Sequence, residues 1–191
     1  IYQGNSFVQL LKGHDRTIDC VEWCSAFGKL VACSEGRLVL YSPVPDSLEY
    51  DPAQNMEKAQ KSNTSTSWQI DQIIDMENTA IECAAFNVYG NRLIVAGDKL
   101  IMYEFVVTES SSAWKRVWET TNATRVFHVS FSPDERLFVT LAHDDRLVKV
   151  WYRDRPESSD DAAIDSFSYI YLSHPRAVQS VAWRKKETIP N

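Results

Sequence analysis

With 191 residues, 44% of them hydrophobic and 12% aromatic, the chain has material for one sizeable core and lacks the composition of a disordered segment. A net charge of −6 argues against a nucleic-acid platform, which presents a basic face, and no apolar run approaches the roughly 18 residues needed to span a bilayer. The four cysteines, Cys20, Cys24, Cys33 and Cys83, are too few for a disulfide framework and favour a reducing, cytosolic setting.

The chain opens without methionine or a signal-peptide pattern, so IYQG reads as the tail of a strand from an earlier unit. SFVQLL predicts a strand. HDRTIDCVEW, His14 to Trp23, predicts a loop and then a strand. The turn SAFGK, the apolar run LVACS, the tight turn EGR and the run LVLY to Tyr41 follow. Short β-branched and aromatic runs cut by Gly, Asp and Asn are the hairpin signal. Residues 42–67, with three prolines and QKSNTSTS, read as an inserted loop, within which 51–61 could make a short helix. The pattern then returns: WQIDQII, AIECAAF, NVYGN, LIVAG, DK and LIMY to Tyr103. It returns again as WKRVWET, RVFHVSF, SPDER, LFVTLA, HDDR and LVKVW to Trp151. An acidic, Ser-rich insertion over 153–166 precedes FSYIYL and HPRAVQSVAW, His174 to Trp183. The all-β reading follows, since helical periodicity is weak everywhere.

HDRTIDCVEW and HPRAVQSVAW share His, Arg and Trp at equal offsets. The closing aromatics, Trp23, Phe86, Phe131 and Trp183, recur at intervals of roughly 45–63 residues. That is a unit of about 40–45 residues lengthened by insertions. The third unit, FHVSFSPDERLFVTLAHDDRLVKVWYRD, resembles a WD repeat in its SPD turn, in Asp145 and in Trp151. The resemblance implies a β-propeller of four-stranded blades, each outer strand leading into the next repeat. Residues 1–191 are then a partial WD-repeat β-propeller of about three to four blades. Blade starts fall near 14, 77, 122 and 174, and the insertions are 42–67 and 153–166. The first blade lacks its start and the last has only its first strand, so an incomplete ring, a piece of a longer protein, is expected.

In WD repeats a loop His, a Ser or Thr on the second strand, a turn Asp and a third-strand Trp often form a hydrogen-bonded tetrad. The resemblance puts His14 and His174 at the His position, Thr140 at the hydroxyl, Asp145 at the turn and Trp151 on the third strand. Trp23 and Trp183 mark first strands. No blade has the full set: the first has Glu35 and Tyr41, and the third has Asn122 in place of His.

Chemistry finds little support. His174 with Arg176 repeats His14 with Arg16, and repetition at one blade position favours construction over catalysis. Cys20 and Cys24 lack a second pair at zinc spacing, and Cys83 repeats the offset of Cys20, so small buried residues are expected. Asp144 and Asp145 read as turn caps, Asp160 and Asp161 as solvated, and His128 as structural. Arg184, Lys185 and Lys186 are a possible partner contact, short of the 4–8 charges usual for a lipid patch. No phosphate loop, GxSxG or HExxH is present. No cofactor is expected, and no enzyme.

YLSHPRAVQSVAWRK, DSFSYIY, DDRLVKVWY and CSAFGKLVACSEGRLVLYSPV resemble the N-terminal propeller of the DmX-like or rabconnectin family, which includes the large subunit of the yeast RAVE complex. The resemblance implies a cytoplasmic, non-catalytic scaffold, associated peripherally with endosomal, vacuolar or synaptic-vesicle membranes. It would promote assembly of the vacuolar proton pump. Its implied partners are pump subunits, other assembly-complex subunits and Rab regulators, with no nucleic acid and only indirect membrane contact. The alternative is a generic WD-repeat adaptor in a vesicle coat or ubiquitin ligase.

Overall fold

The computed structural model describes residues 2–3, 6–7, 9–44, 67–77, 79–154 and 166–184. Most of both insertions lies outside these residues, with the helix expected over 51–61, Asp160, Asp161, Lys185 and Lys186. The described residues hold strands and no helix. A short hairpin, β1 (Tyr2–Gln3) and β2 (Ser6–Phe7), comes first. Blade one contains β3 (Ile18–Cys24), β4 (Lys29–Ser34), β5 (Arg37–Pro43) and β6 (Trp68–Asp75). Blade two contains β7 (Ile81–Phe86), β8 (Arg92–Gly97), β9 (Lys99–Val107) and β10 (Ser112–Thr121). Blade three contains β11 (Val126–Phe131), β12 (Leu137–Ala142), β13 (Leu147–Arg153) and β14 (Phe167–Ser173). Each blade is an antiparallel meander in chain order. The chain is thus a partial β-propeller.

Second and third strands are largely apolar because both their faces are covered along most of their length. In β8, Leu93 and Val95 turn to the core shared with blade one, while Ile94 and Ala96 turn to the core shared with blade three. β9 repeats the division, with Ile101 and Tyr103 on one side and Leu100 and Met102 on the other. Period-two alternation of side chains thus makes one sheet serve two cores. The core between blades one and two contains Val31, Cys33, Leu38 and Leu40; that between two and three contains Phe138 and Trp151, stacked at 5.6 Å.

Every first strand is bulged near its start: Ile18/Cys20 in β3, Ile81/Cys83 in β7 and Val126/His128 in β11. The turn from first to second strand needs a left-handed residue. Gly90 supplies it in blade two at φ 63°, pressed against Cys24 and the Phe27 ring of blade one. In blade three that turn uses Glu135 at φ 60°, whose carboxylate accepts bonds from Asn87 Nδ2 and the Tyr89 amide, both 2.9 Å, and so ties this turn to that of blade two.

The outer faces of blades one and three each gain a covering segment. Leu11 packs on Ala32, Val39 and Tyr41. Val178, Val181 and Trp183 pack on Val139, Leu141 and Val148. Residues 174–184 form no strand, unlike the first strand expected after HPRAV. A first strand takes its ladder from the second strand of its own blade, and no such run follows among the described residues. Beyond His174, hydrogen bonds hold the segment instead: the Val178 amide donates to Asp145 O (3.1 Å) and Trp183 Nε1 to Ser130 O (3.3 Å).

Candidate functional site

The tetrad positions are divided between two blades. In blade three, Trp151 on β13 lies opposite Phe138 of β12 in the ladder. Its Nε1 donates to Thr140 Oγ1 at 2.9 Å, both groups buried. Asp145 shapes the next turn: its Oδ1 accepts the Leu147 amide at 3.0 Å. Asn122 does not bridge the hydroxyl and the turn. Its amide nitrogen donates to Asp98 O at 3.0 Å, and its buried Nδ2 finds no acceptor among the described residues. A cavity of about 110 Å³, lined by Ala123, Thr124, Thr140 and Asp145 among others, separates loop from turn.

Blade one holds the complementary half. His14 Nδ1 and Ser34 Oγ lie 2.7 Å apart, with Ser34 fully buried. Ser34 was not among the sequence candidates. It lies opposite Ile18 at the end of β4, whereas Thr140 lies opposite Val129 in mid-strand. Repeat alignment on Thr140 therefore points past it. Tyr41 stands where blade three has Trp151, and its hydroxyl donates to Lys12 O at 2.9 Å, holding the loop by its backbone. Glu35 does not reach His14; it pairs with Arg16 at 2.7 Å. His14 Nε2 is left without a partner among the described residues. Burial, then the nearby Arg37 guanidinium, lowers the His14 pKa. Burial lowers that of His128.

The other candidates stand apart. Trp23 is half-exposed and tilts against Trp68 at 5.4 Å. The His174 backbone closes the β13–β14 ladder through Arg146 O at 2.9 Å, while its side chain is exposed and makes no hydrogen bond to Asp145. Arg184 is exposed. Cys20 and Cys33 face one another across the β3–β4 ladder. Its hydrogen bond to Cys20, then burial, pushes the Cys33 thiol up, and burial does the same for Cys83. Such thiols are poor nucleophiles. Among the described residues no three His, Cys, Asp or Glu side chains are arranged to hold a metal ion.

On the face that holds the tetrad positions, charged loops join blades two and three, and a further charged cluster lies within blade one. Arg37 pairs with Asp75 (2.8 Å) and Asp15 (3.6 Å). Arg125 bridges Asp98 (2.9 Å) and Glu82 (3.3 Å), and His143 Nε2 meets Glu82 at 2.6 Å. A cavity of about 500 Å³ opens among Arg16, Asp19, Glu35, Glu82 and Arg125. Mixed charges on rigid strands make a surface suited to recognising another protein through complementary charge.

The model of the WD domain, G-beta repeat, matches residues 114–152. That span runs from the last strand of blade two through the third strand of blade three, so the sequence repeat is offset from the sheet by one strand. Human DmX-like protein 1 is 27% identical over 194 residues, covering 88% of this chain and 6% of that protein. Mouse DmX-like protein 1 is 40% identical over 84 residues, covering 38% of this chain and 3% of that protein. The chain carries a WD repeat and is related to the DmX-like proteins. The resemblance expected from HPRAVQSVAW and LVKVWY is therefore present over most of its length. The chain spans only a few per cent of the length of either relative. Its fold is of the WD scaffold type, and WD repeats generally mediate contacts between proteins.

Proposed function

We propose that this chain is a non-catalytic part of a scaffold that promotes assembly of the vacuolar proton-transporting ATPase, and so supports organelle acidification. The observation that carries the reading is the similarity to human DmX-like protein 1 across 88% of the chain. The geometry supports it. Hydrogen-bonding groups at the tetrad positions are spent on holding strands and loops, the thiols are buried or partly buried, and the charged loops stand on a rigid three-blade frame. The partners in this reading are pump subunits, other assembly-complex subunits and Rab regulators. Its place is cytoplasmic, peripheral to endosomal, vacuolar or synaptic-vesicle membranes. Arg184 is a solvent-facing contact for such a partner.

The test is affinity capture of the full-length protein from membrane extracts, with detection of pump subunits, paired with organelle pH in cells lacking it. The reading expects both sectors of the pump in the capture and a raised luminal pH. Recovery of no pump subunit, with unchanged luminal pH, refutes it.

A further inference from the structure

Four side chains tie blade two to blade three. The equivalent positions at the boundary between blades one and two hold residues that cannot make the same ties. In the turn between first and second strands, Glu135 accepts from Asn87 Nδ2 and the Tyr89 amide of blade two. Blade two has Gly90 in that turn, with no side chain to reach blade one. Just ahead of β11, Arg125 meets Glu82 at 3.3 Å; Ala80 holds that place ahead of β7. After β12, His143 Nε2 meets Glu82 at 2.6 Å; Asp98 holds that place after β8. Glu82 is the extra residue of the β7 bulge, and Asp19 is that of β3. The partners corresponding to His143 and Glu82 are thus two carboxylates, which repel.

The outer strands differ in the same sense. Trp118 of β10 packs on Phe167, Trp151 and Phe138 of blade three at 5.0, 5.5 and 6.3 Å. Gln72 holds that place in β6, since it lies opposite Leu40 as Trp118 lies opposite Met102. Its side-chain amide donates to Trp114 O (3.1 Å) and accepts from the Trp114 amide (2.8 Å), a clasp across the boundary. Lys29 adds a contact to the Phe105 ring at 4.2 Å. A cavity of about 590 Å³ opens beside the clasp, next to Ile101, Tyr103 and Trp114. The buried Trp114 Nε1 finds no acceptor among the described residues.

We infer that the boundary between blades one and two is an opening seam. Blade one parts from a locked pair, blades two and three, in a rare excursion of an otherwise rigid frame. The excursion breaks no sheet ladder and takes less free energy than global unfolding. Both boundaries bury apolar cores, so the ties decide which one parts first. Opening exposes Cys33, buried in the core between blades one and two, and leaves Ala96 covered in the core between two and three. The charged loops above the seam, which carry Arg16 and Glu35 on one side and Glu82 and Arg125 on the other, change their spacing with it.

The test is alkylation of the full-length protein by iodoacetamide at rising urea, below the unfolding transition, read peptide by peptide by mass spectrometry. Cys33 reacts only when the core between blades one and two parts. Ale reporter for the other core is Ala96→Cys, with Ala85→Cys as a second position in that core where the first variant does not fold. Cys33 is expected to react about ten-fold or more faster than the introduced thiol, with a weaker urea dependence. Gln72→Ala removes the clasp and speeds Cys33 about ten-fold, while the introduced thiol keeps its rate. Glu135→Gly, which suits φ 60°, speeds the introduced thiol and leaves Cys33 alone. Equal rates with equal urea dependence at the two cores overturn the inference. So does a Gln72→Ala variant that changes both thiols alike, or neither.

Discussion

The contact between Thr140 and Trp151 gives the sharpest prediction. Thr140→Val preserves shape and removes the acceptor of the 2.9 Å bond from Trp151 Nε1. The indole cannot turn to water: it is 3% exposed, stacked on Phe138 at 5.6 Å and packed against Trp118 and Tyr169. An orphaned buried donor costs about 1–3 kcal/mol. For a domain of this size that lowers the melting temperature by about 2–4 °C per kcal/mol. Thr140→Ser keeps the hydroxyl and should lose less, only the buried methyl. In Trp151→Phe the donor itself is gone, so adding Thr140→Val to it should cost less than Thr140→Val alone. The assay is urea unfolding followed by tryptophan fluorescence and closed as a double-mutant cycle. Thr140→Val no worse than Thr140→Ser, or strictly additive costs, would refute the claim that this bond secures blade three.

Three further outcomes follow from the same geometry. Asn122→His should stabilise the domain by about 1 kcal/mol, because an imidazole can enter the cavity beside Thr140 and Asp145; an unchanged or lower melting temperature contradicts this. Stability should fall as pH drops below the ordinary histidine value of 6.5. His14 and His128 have lowered pKa values in the fold, so the unfolded chain binds protons first, and their contribution, present above 6.5, is lost toward their folded pKa values. His14→Gln with His128→Asn should flatten the loss, measured as unfolding free energy at pH 7.5 and pH 5.5. Gly90→Ala should cost about 2 kcal/mol or more, since its Cβ would collide with Cys24 Sγ and Phe27 at a left-handed φ; a melt within experimental error of the parent would count against it.

The blade plan was legible because its signals are local. LIVAG and LIMY are too apolar to face water on either side, and Gly, Asp and Asn mark the turns between them. The offset between repeat and sheet was legible too, since WKRVWET and FSYIYL each stand before a repeat yet close the preceding blade. The rest depends on neighbours that lie far off in sequence. Nothing in IDC, IEC or VFH marks a bulge; it comes from how each first strand meets its own second strand and the adjoining blade. Ser34 was not legible because it bonds His14 from another ladder position than Thr140, nor was the role of Tyr41, whose hydroxyl reaches a backbone carbonyl rather than a side chain. The residues 174–184 carry the letters of a first strand, but among the described residues no second strand pairs with them.

The divided allegiance of β8 sets a rule about chain length. A residue gained or lost just ahead of Leu93 would send Leu93 and Val95 to the side of Phe138 and Trp151, and Ile94 and Ala96 to the side of Val31 and Leu40. Two cores of different shape would be misfilled by a single slip, and no repacking confined to one interface could repair both. The middle blade therefore acts as a reading frame for its neighbours. Sequence drift here can exchange one side chain for another, but it cannot change the count.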